Sequence, residues 1–309
     1  MAAARVILDV DVGTDDYMAM LVLLEADRLR QVKIEAVVCS MGNTTIDNVC
    51  VNVVRLLELV GRTDIPVYRG AATPLVPPTH EIGLYHGSDG FGGLRHDSTP
   101  DLTIIRKEPA AVGVANLVLD NPNQITLICV GPLTNLALSL RLYDSFADSI
   151  KELWIMGGNY TALGNVTATA EFNFYMDPEA AYIALDTVKK PIFILTWETC
   201  LRPKISSDWR RNVFGAKDNA AIQLLNEAEK QLSRKNPKVW VPCDAFLVAA
   251  FLYPDTMITK KSTHNATVEL HGSQTRGQIV LDHLKTKRDN VTIIEEVDPE
   301  LFKQLLMQL

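Results

Sequence analysis

The sequence predicts an α/β fold: a single domain built on a mostly parallel β-sheet with helices on both faces. Three observations carry this. Short apolar strand-like runs alternate with helical stretches from the N-terminus onward, and this β-α-β-α-β rhythm sets consecutive strands parallel. The chain has 309 residues, 47% of them hydrophobic, which fits the core of one large α/β domain. No Pro/Gly/Ser-rich linker separates two halves and no internal repeat is present, so residues 1–309 read as one domain.

Val6–Leu8 is the first apolar run, ending in Asp9. Residues 16–30 carry Met20, Leu21 and Leu24 at helical spacing. Ile34–Cys39 is again strand-like. Ile46–Val60 sets Val49, Val53, Leu56, Leu57 and Val60 on one helical face, and Ile65–Tyr68 is another short strand. Residues 73–100 break the rhythm with Pro, Gly and His; a loop that long inside a compact domain is usually functional or disordered. The alternation then resumes. Helices are expected at 109–119, 133–142 and 178–185, and strands at 125–130, 153–156 and 192–195. Later helices are expected near 220–232, 245–252 and 300–306. Thr267–Leu270, Gln278–Leu281 and Val291–Ile294 read as late strands, an antiparallel addition to a Rossmann-like sheet.

Charge and composition exclude several classes. With 30 basic against 37 acidic residues and a net charge of −7, the chain lacks the basic field of a nucleic-acid binder. No apolar run reaches membrane-spanning length. The N-terminus enters a strand with no signal-peptide pattern. Cys39, Cys50, Cys129, Cys200 and Cys243 are odd in number and include no C-x-x-C pair, as for reduced thiols in the cytoplasm.

The most informative stretch is Val6-Ile7-Leu8-Asp9-Val10-Asp11-Val12-Gly13-Thr14-Asp15-Asp16. An apolar strand runs into a Gly-containing turn and then a helix. In open α/β sheets the carboxyl ends of strands line the ligand crevice. Asp15 and Asp16 would sit at a helix N-terminus, where the dipole favours anions. Asp15 alone would be an ordinary cap, but four carboxylates within eight residues are not ordinary. Two like charges ~5 Å apart repel by ~3 kcal/mol at an effective dielectric of ~20, and the dipole returns only ~0.3–1 kcal/mol. A bound cation removes the conflict, and oxygen-only ligands suit a hard ion such as Ca²⁺ or Mg²⁺. The stretch also resembles the Asp-x-Asp opening of haloacid dehalogenase-like phosphatases, with Asp9 as nucleophile. Gly13 and the pair Asp15-Asp16 depart from that pattern.

Further blocks extend the opening run: Gly42-Asn43, His86-Gly87, Val130-Gly131-Pro132-Leu133-Thr134-Asn135-Leu136-Ala137, Met156-Gly157-Gly158, Asn165, Ala170-Glu171-Phe172-Asn173, Asp177-Pro178-Glu179-Ala180-Ala181 and Cys243-Asp244. In this order they resemble the inosine-uridine-preferring nucleoside hydrolase family, whose D-x-D-x-G-x-D-D signature matches residues 9–16. The resemblance implies the nucleoside hydrolase fold and Ca²⁺-dependent hydrolysis of ribonucleosides to free base and ribose, in nucleoside catabolism or purine salvage, by a cytoplasmic homodimer or homotetramer. It implies that Asp11, Asp16 and Asp244 ligate Ca²⁺ through side chains and Val130 through its carbonyl. Asp11 would also be the general base. Asp15 would hold the ribose 2′-hydroxyl, Asn43 and Asn173 the lower hydroxyls, and Asn165 and Glu171 the 5′-hydroxyl; Met156 would pack on the sugar and Asp9 would support from behind.

Chemistry agrees with these roles. Buried carboxylates and amides satisfy vicinal hydroxyls, and anions stabilise an oxocarbenium-like sugar. Glu171 and Asn173, two apart in a stretch that could be extended, could face one ligand together. Where many family members carry His before the last metal Asp, this chain has Cys243, which resembles a Cys-type subgroup and leaves the leaving-group acid open among His86, solvent and stacking. Trp197 is a base platform or a core residue. A phosphatase and a non-catalytic nucleoside-binding protein are the alternatives.

Overall fold

The computed structural model describes residues 3–78, 85–96, 98–232 and 238–309. Parts of the loop expected at 73–100, and residues 233–237, lie outside the described residues. In chain order the strands are β1 (Ala4–Val10), β2 (Val32–Cys39), β3 (Val67–Arg69), β4 (Ile105–Arg106), β5 (Ile125–Cys129), β6 (Leu153–Met156), β7 (Ile192–Leu195), β8 (Ile205–Ser206), β9 (Val239–Trp240), β10 (Ile258–His264), β11 (Ala266–Val268), β12 (Ile279–Leu281) and β13 (Val291–Val297). The helices are α1 (Thr14–Arg28), α2 (Ile46–Leu59), α3 (Ala110–Leu119), α4 (Thr134–Leu142), α5 (Phe146–Ser149), α6 (Phe172–Met176), α7 (Pro178–Thr187), α8 (Trp197–Leu201), α9 (Ser207–Asn212), α10 (Ala220–Leu232), α11 (Cys243–Leu252), α12 (Pro254–Met257) and α13 (Pro299–Leu306).

Nine strands form one sheet in the order β10-β13-β7-β6-β5-β1-β2-β3-β4. All neighbours run parallel except β10 and β13. Side chains on β1 alternate between two cores: Val6, Leu8 and Val10 join the one containing α1, α2 and α11, and Ile7 joins the one containing α3, α4 and α7. The sheet is therefore covered on both faces, as parallel sheets require. The chain leaves β1 for β2 on one side and later returns to β5 on the other. The β1–β5 boundary is thus a topological switch point, where α/β sheets open a ligand crevice.

The late strands differ from the expected antiparallel addition. β13 extends the main sheet in parallel beside β7. Only the edge strand β10 is antiparallel, and its sequence Ile258-Thr259-Lys260-Lys261-Ser262-Thr263-His264 carries too little apolar alternation to be read as a strand. Lysines on an exposed edge protect it from pairing with other chains. β11 and β12 pair antiparallel in a separate two-stranded sheet. The stretch around Glu171 and Asn173 is likewise not extended: Asn173 lies in α6 and Glu171 caps it.

Candidate active site

The site residues come from the carboxyl ends of successive parallel strands. Asp11 follows β1, Asn43 follows β2, Val130 follows β5, Met156 ends β6 and Trp197 follows β7. Asp244 stands in the first turn of α11, which packs along α1.

Asp16 is the third residue of α1 and closes its N-terminus. Its Oδ2 accepts the N–H of Gly13 at 2.7 Å and its Oδ1 that of Asp11 at 3.0 Å, a capping arrangement that fixes the turn. Asp11 is fixed in return by the N–H of Asn43, 2.7 Å from Oδ2, and the Asn43 side chain reaches Asp16 at 3.4 Å. Glycines leave room for these contacts. A Cβ on Gly42 would lie 2.1 Å from Asp11 Oδ2, and one on Gly13 2.9 Å from both Asn43 Nδ2 and the His86 ring.

Asp15, Asp16 and Asp244 offer carboxylate oxygens that lie within 4.8 Å of one another. Burial, reinforced by Asp16, pushes the Asp11 carboxyl well above the carboxylate range. Burial and then Asp15 do the same to Asp244. Asp16 is pushed up to about 7 by burial and the Asp15 charge. Among the described residues no lysine or arginine pairs with any of these four aspartates. Asp15 Oδ1 is buried with no hydrogen-bond partner. A buried acceptor without a donor costs ~1–3 kcal/mol, so this set of hard oxygen donors fits a divalent cation.

Asn173 joins the site from the β5 and β6 side. Its amide donates to the Val130 carbonyl at 2.8 Å and the Met156 carbonyl at 3.1 Å. Val130 O keeps a second lone pair. Glu171 is 1% exposed and accepts the N–H groups of Gly158, Asn173 and Phe174. Burial raises its carboxyl to about 7 against these bonds. Asn165 is not drawn in: its N–H bonds Ala170 O and its side chain is exposed. Asp9 stands behind the site, bonded to Ser40 at 2.5 Å and to Asn135 at 3.5 Å, and burial raises it to about 7.

His86 is buried beside Asp15. Its Nδ1 lies 3.1 Å from the Thr14 N–H, so Nδ1 is the acceptor and the neutral ring carries its proton on Nε2. Nε2 is 3.5 Å from Asp15 Oδ1. Burial holds the imidazole below its usual pKa, against the pull of Asp15. The Cys243 thiol is driven the other way, well above a free thiol, by a hydrogen bond with Cys200 and then by burial. It is a weaker acid than an exposed cysteine. Trp197 opens α8 half-buried against the core, with its N–H on Gly158 O.

Two buried residues that sequence reading passed over shape the neighbouring loop. Glu198 accepts the N–H groups of Tyr160, Thr161 and Leu163. Asn159 is fully buried, donating to Leu163 O and Thr169 O and accepting from Ile279 N–H. Asn159 stands in an N-x-T pattern and Glu198 beside Trp197, but neither pattern signals a buried loop anchor.

A family model described as inosine-uridine preferring nucleoside hydrolase matches residues 6–304. The chain belongs to this family. The pyrimidine-specific ribonucleoside hydrolase RihA of Shigella flexneri is 32% identical over 314 residues, covering 98% of this chain and 97% of that protein. A probable uridine nucleosidase 2 of Oryza sativa subsp. japonica is 37% identical over 182 residues, covering 58% of this chain and 52% of that protein. An inosine-guanosine nucleoside hydrolase structure superposes with a TM-score of 0.89 at 26% identity, over 98% of this chain and 97% of that one. This nucleoside hydrolase is thus an N-glycosidase, splitting ribonucleosides into base and ribose. A phosphatase built on Asp9 does not fit, since that residue is 7% exposed and both its oxygens are engaged.

Proposed function

We propose that the ribonucleoside hydrolysis runs on a Ca²⁺ ion held by Asp11, Asp16, Asp244 and the Val130 carbonyl. What supports this is the group of Asp15, Asp16 and Asp244 oxygens within 4.8 Å of one another, with no lysine or arginine paired to them among the described residues, and Asp11 tied to Asp16 through Asn43. When bound, such a cation neutralises the cluster and lowers the pKa of a water it holds. Asp11, oriented by Asn43 N–H, takes the proton from the attacking water. Asp15 offers Oδ1 to the ribose 2′-hydroxyl, Asn43 and Asn173 hold the lower hydroxyls, Glu171 addresses the 5′ end, and Met156 packs on the sugar. The surrounding carboxylates stabilise the positive charge that grows on the ring as the base leaves. His86, with its proton on Nε2, stands on the leaving-group side with Trp197; the Cys243 thiol is too weak an acid to serve there. We further read the chain as one domain acting in the cytoplasm as a homodimer or homotetramer. Five free, buried thiols are in keeping with a reducing compartment, and light scattering measures the assembly.

The test is ribose release from a nucleoside panel with Ca²⁺ and with chelator. Release that is lost on chelation, restored by Ca²⁺ and absent in Asp11→Asn is expected. Nucleoside binding without release would mark a binding protein, and chelator-resistant release would remove the cation from the reading.

A further inference from the structure

Arg210 on α9 is 1% exposed and the largest fully buried side chain among the described residues. Its guanidinium lies against two neighbouring rings, 5.1 Å from the Phe214 centroid and 5.3 Å from that of Trp240. Nη1 donates to Asn226 Oδ1 at 2.7 Å. Nη2 lies 3.0 Å from Glu229 Oε2, while the indole Nε1 of Trp240 donates to Glu229 Oε1 at 3.0 Å. Gly215 makes room for the guanidinium: a Cβ there would lie 3.0 Å from Nη1. Each Glu229 oxygen thus has one fixed partner, yet 21% of the side chain stays open to solvent. An ionised carboxyl accepts about four hydrogen bonds, so the outward lone pairs remain free.

This carboxylate is carried next to the active site. α10, which carries it, packs on the loop that carries His86, where a Cβ on Gly92 would lie 2.7 Å from Ala228 O. The charges of Glu229 and Asp15 act on each other. Both also act on Tyr85, whose ring meets His86 edge-on at 4.9 Å. Glu229 is therefore carried on a helix beside the His86 loop, within electrostatic reach of Asp15 and Tyr85. The groups assigned to the ribose, Asn43, Glu171 and Asn173, come instead from the strand ends and α6. Packing alone gives no reason for a buried ion pair here, because apolar residues of equal volume stabilise as well or better. What the pair adds is a carboxylate of fixed direction.

We propose that Glu229 recognises the nucleobase, its carboxylate accepting a hydrogen bond from an N–H on the edge of the base. Arg210 and Trp240 are positioning residues that aim it. The favoured substrates are ribonucleosides whose base presents a ring or exocyclic N–H, such as uridine or inosine. This rests on the hydrolase reading above, and the test separates the two. Uridine is compared with 3-methyluridine, inosine with 1-methylinosine, and all with nitrophenyl β-ribofuranoside, whose leaving group has no N–H. In Glu229→Ala, kcat/KM for the parent nucleoside is expected to fall about tenfold more than for the nitrophenyl riboside, and the preference for parent over methylated base to flatten. Trp240→Phe, which keeps an aromatic ring beside Arg210 but removes the Nε1 donor and part of the indole's volume, flattens it part-way. Glu229→Leu, which keeps the bulk and removes both acceptors, serves if the alanine variant does not fold. An unchanged parent-to-methyl ratio in these variants, or an equal loss on the nitrophenyl substrate, overturns the proposal. Failure of the parent enzyme to cleave any of the panel overturns the hydrolase reading instead.

Discussion

Asp16 serves two ends with one carboxylate. It caps α1 through the N–H groups of Asp11 and Gly13, and it stands among the oxygens that could hold a cation. The helix start and the site are therefore one structure, and its tolerance is small. Gly42 shows this most sharply. It has ordinary backbone angles, so only space forbids a side chain, and a Cβ would lie 2.1 Å from Asp11 Oδ2. Gly42→Ala is expected to displace the Asp11 carboxylate and lower kcat/KM about 100-fold, while overpacking costs about 1–3 kcal/mol of stability. A variant with near-parental kcat/KM would show that Asp11 has freedom the geometry denies it. The acidic run was legible because its charge conflict is local, four aspartates within eight residues. Arg210 and Glu229 were not legible. Nineteen residues separate them, and neither α9 nor α10 carries a pattern that brings them together.

At the scale of elements, the strands β1, β2, β5, β6 and β7 were readable because burial on both faces makes them continuous apolar runs. β10 was not, since an edge strand carries polar residues for its own protection. The α6 region was misread as extended for a related reason. Its helix is five residues long, too short for periodicity to show, and depends on Glu171 accepting N–H groups at its start. The loop before it depends on a buried acceptor in the same way. Glu198, 7% exposed, holds three backbone N–H groups between Tyr160 and Leu163. Glu198→Ala leaves them without an acceptor, at a cost of about 2–4 kcal/mol. We expect a lower Tm, faster proteolysis between residues 159 and 170, and a higher KM with a smaller change in kcat, because that loop leads into Glu171. A fall in kcat at unchanged KM would place the effect on the chemistry rather than on the loop.

Across the whole molecule, the buried carboxyls make stability depend on pH and on the cation together. Asp9, Asp16 and Glu171 are raised to about 7, and Asp11 and Asp244 are raised well beyond the usual carboxylate range. Unfolded aspartate and glutamate lose their protons near pH 4. Between ~4 and ~7 the folded state therefore binds more protons than the unfolded one, and unfolding free energy falls as pH rises. The lowered carboxyls at Glu35, Asp64 and Glu295 act in the opposite direction, but their contribution is gained below about pH 4.5 and is constant above it. Cation-free protein is thus expected to have a lower Tm at pH 8 than at pH 5.5. Ca²⁺ bound as proposed is expected to reverse the trend, because it would bind the ionised cluster and release protons on binding. At about a hundredfold excess over Kd it contributes about 2.7 kcal/mol, or roughly 5 °C in Tm for a chain of this size. That gain should shrink steadily as pH falls from 8 to 5.5 while the carboxyls take up protons. Thermal melts in chelator and in Ca²⁺ across this range, with proton release followed by calorimetry in two buffers of different ionisation enthalpy, measure both effects. A Ca²⁺ gain in Tm independent of pH, with no proton released, would mean that the cation binds away from the Asp11, Asp16 and Asp244 cluster.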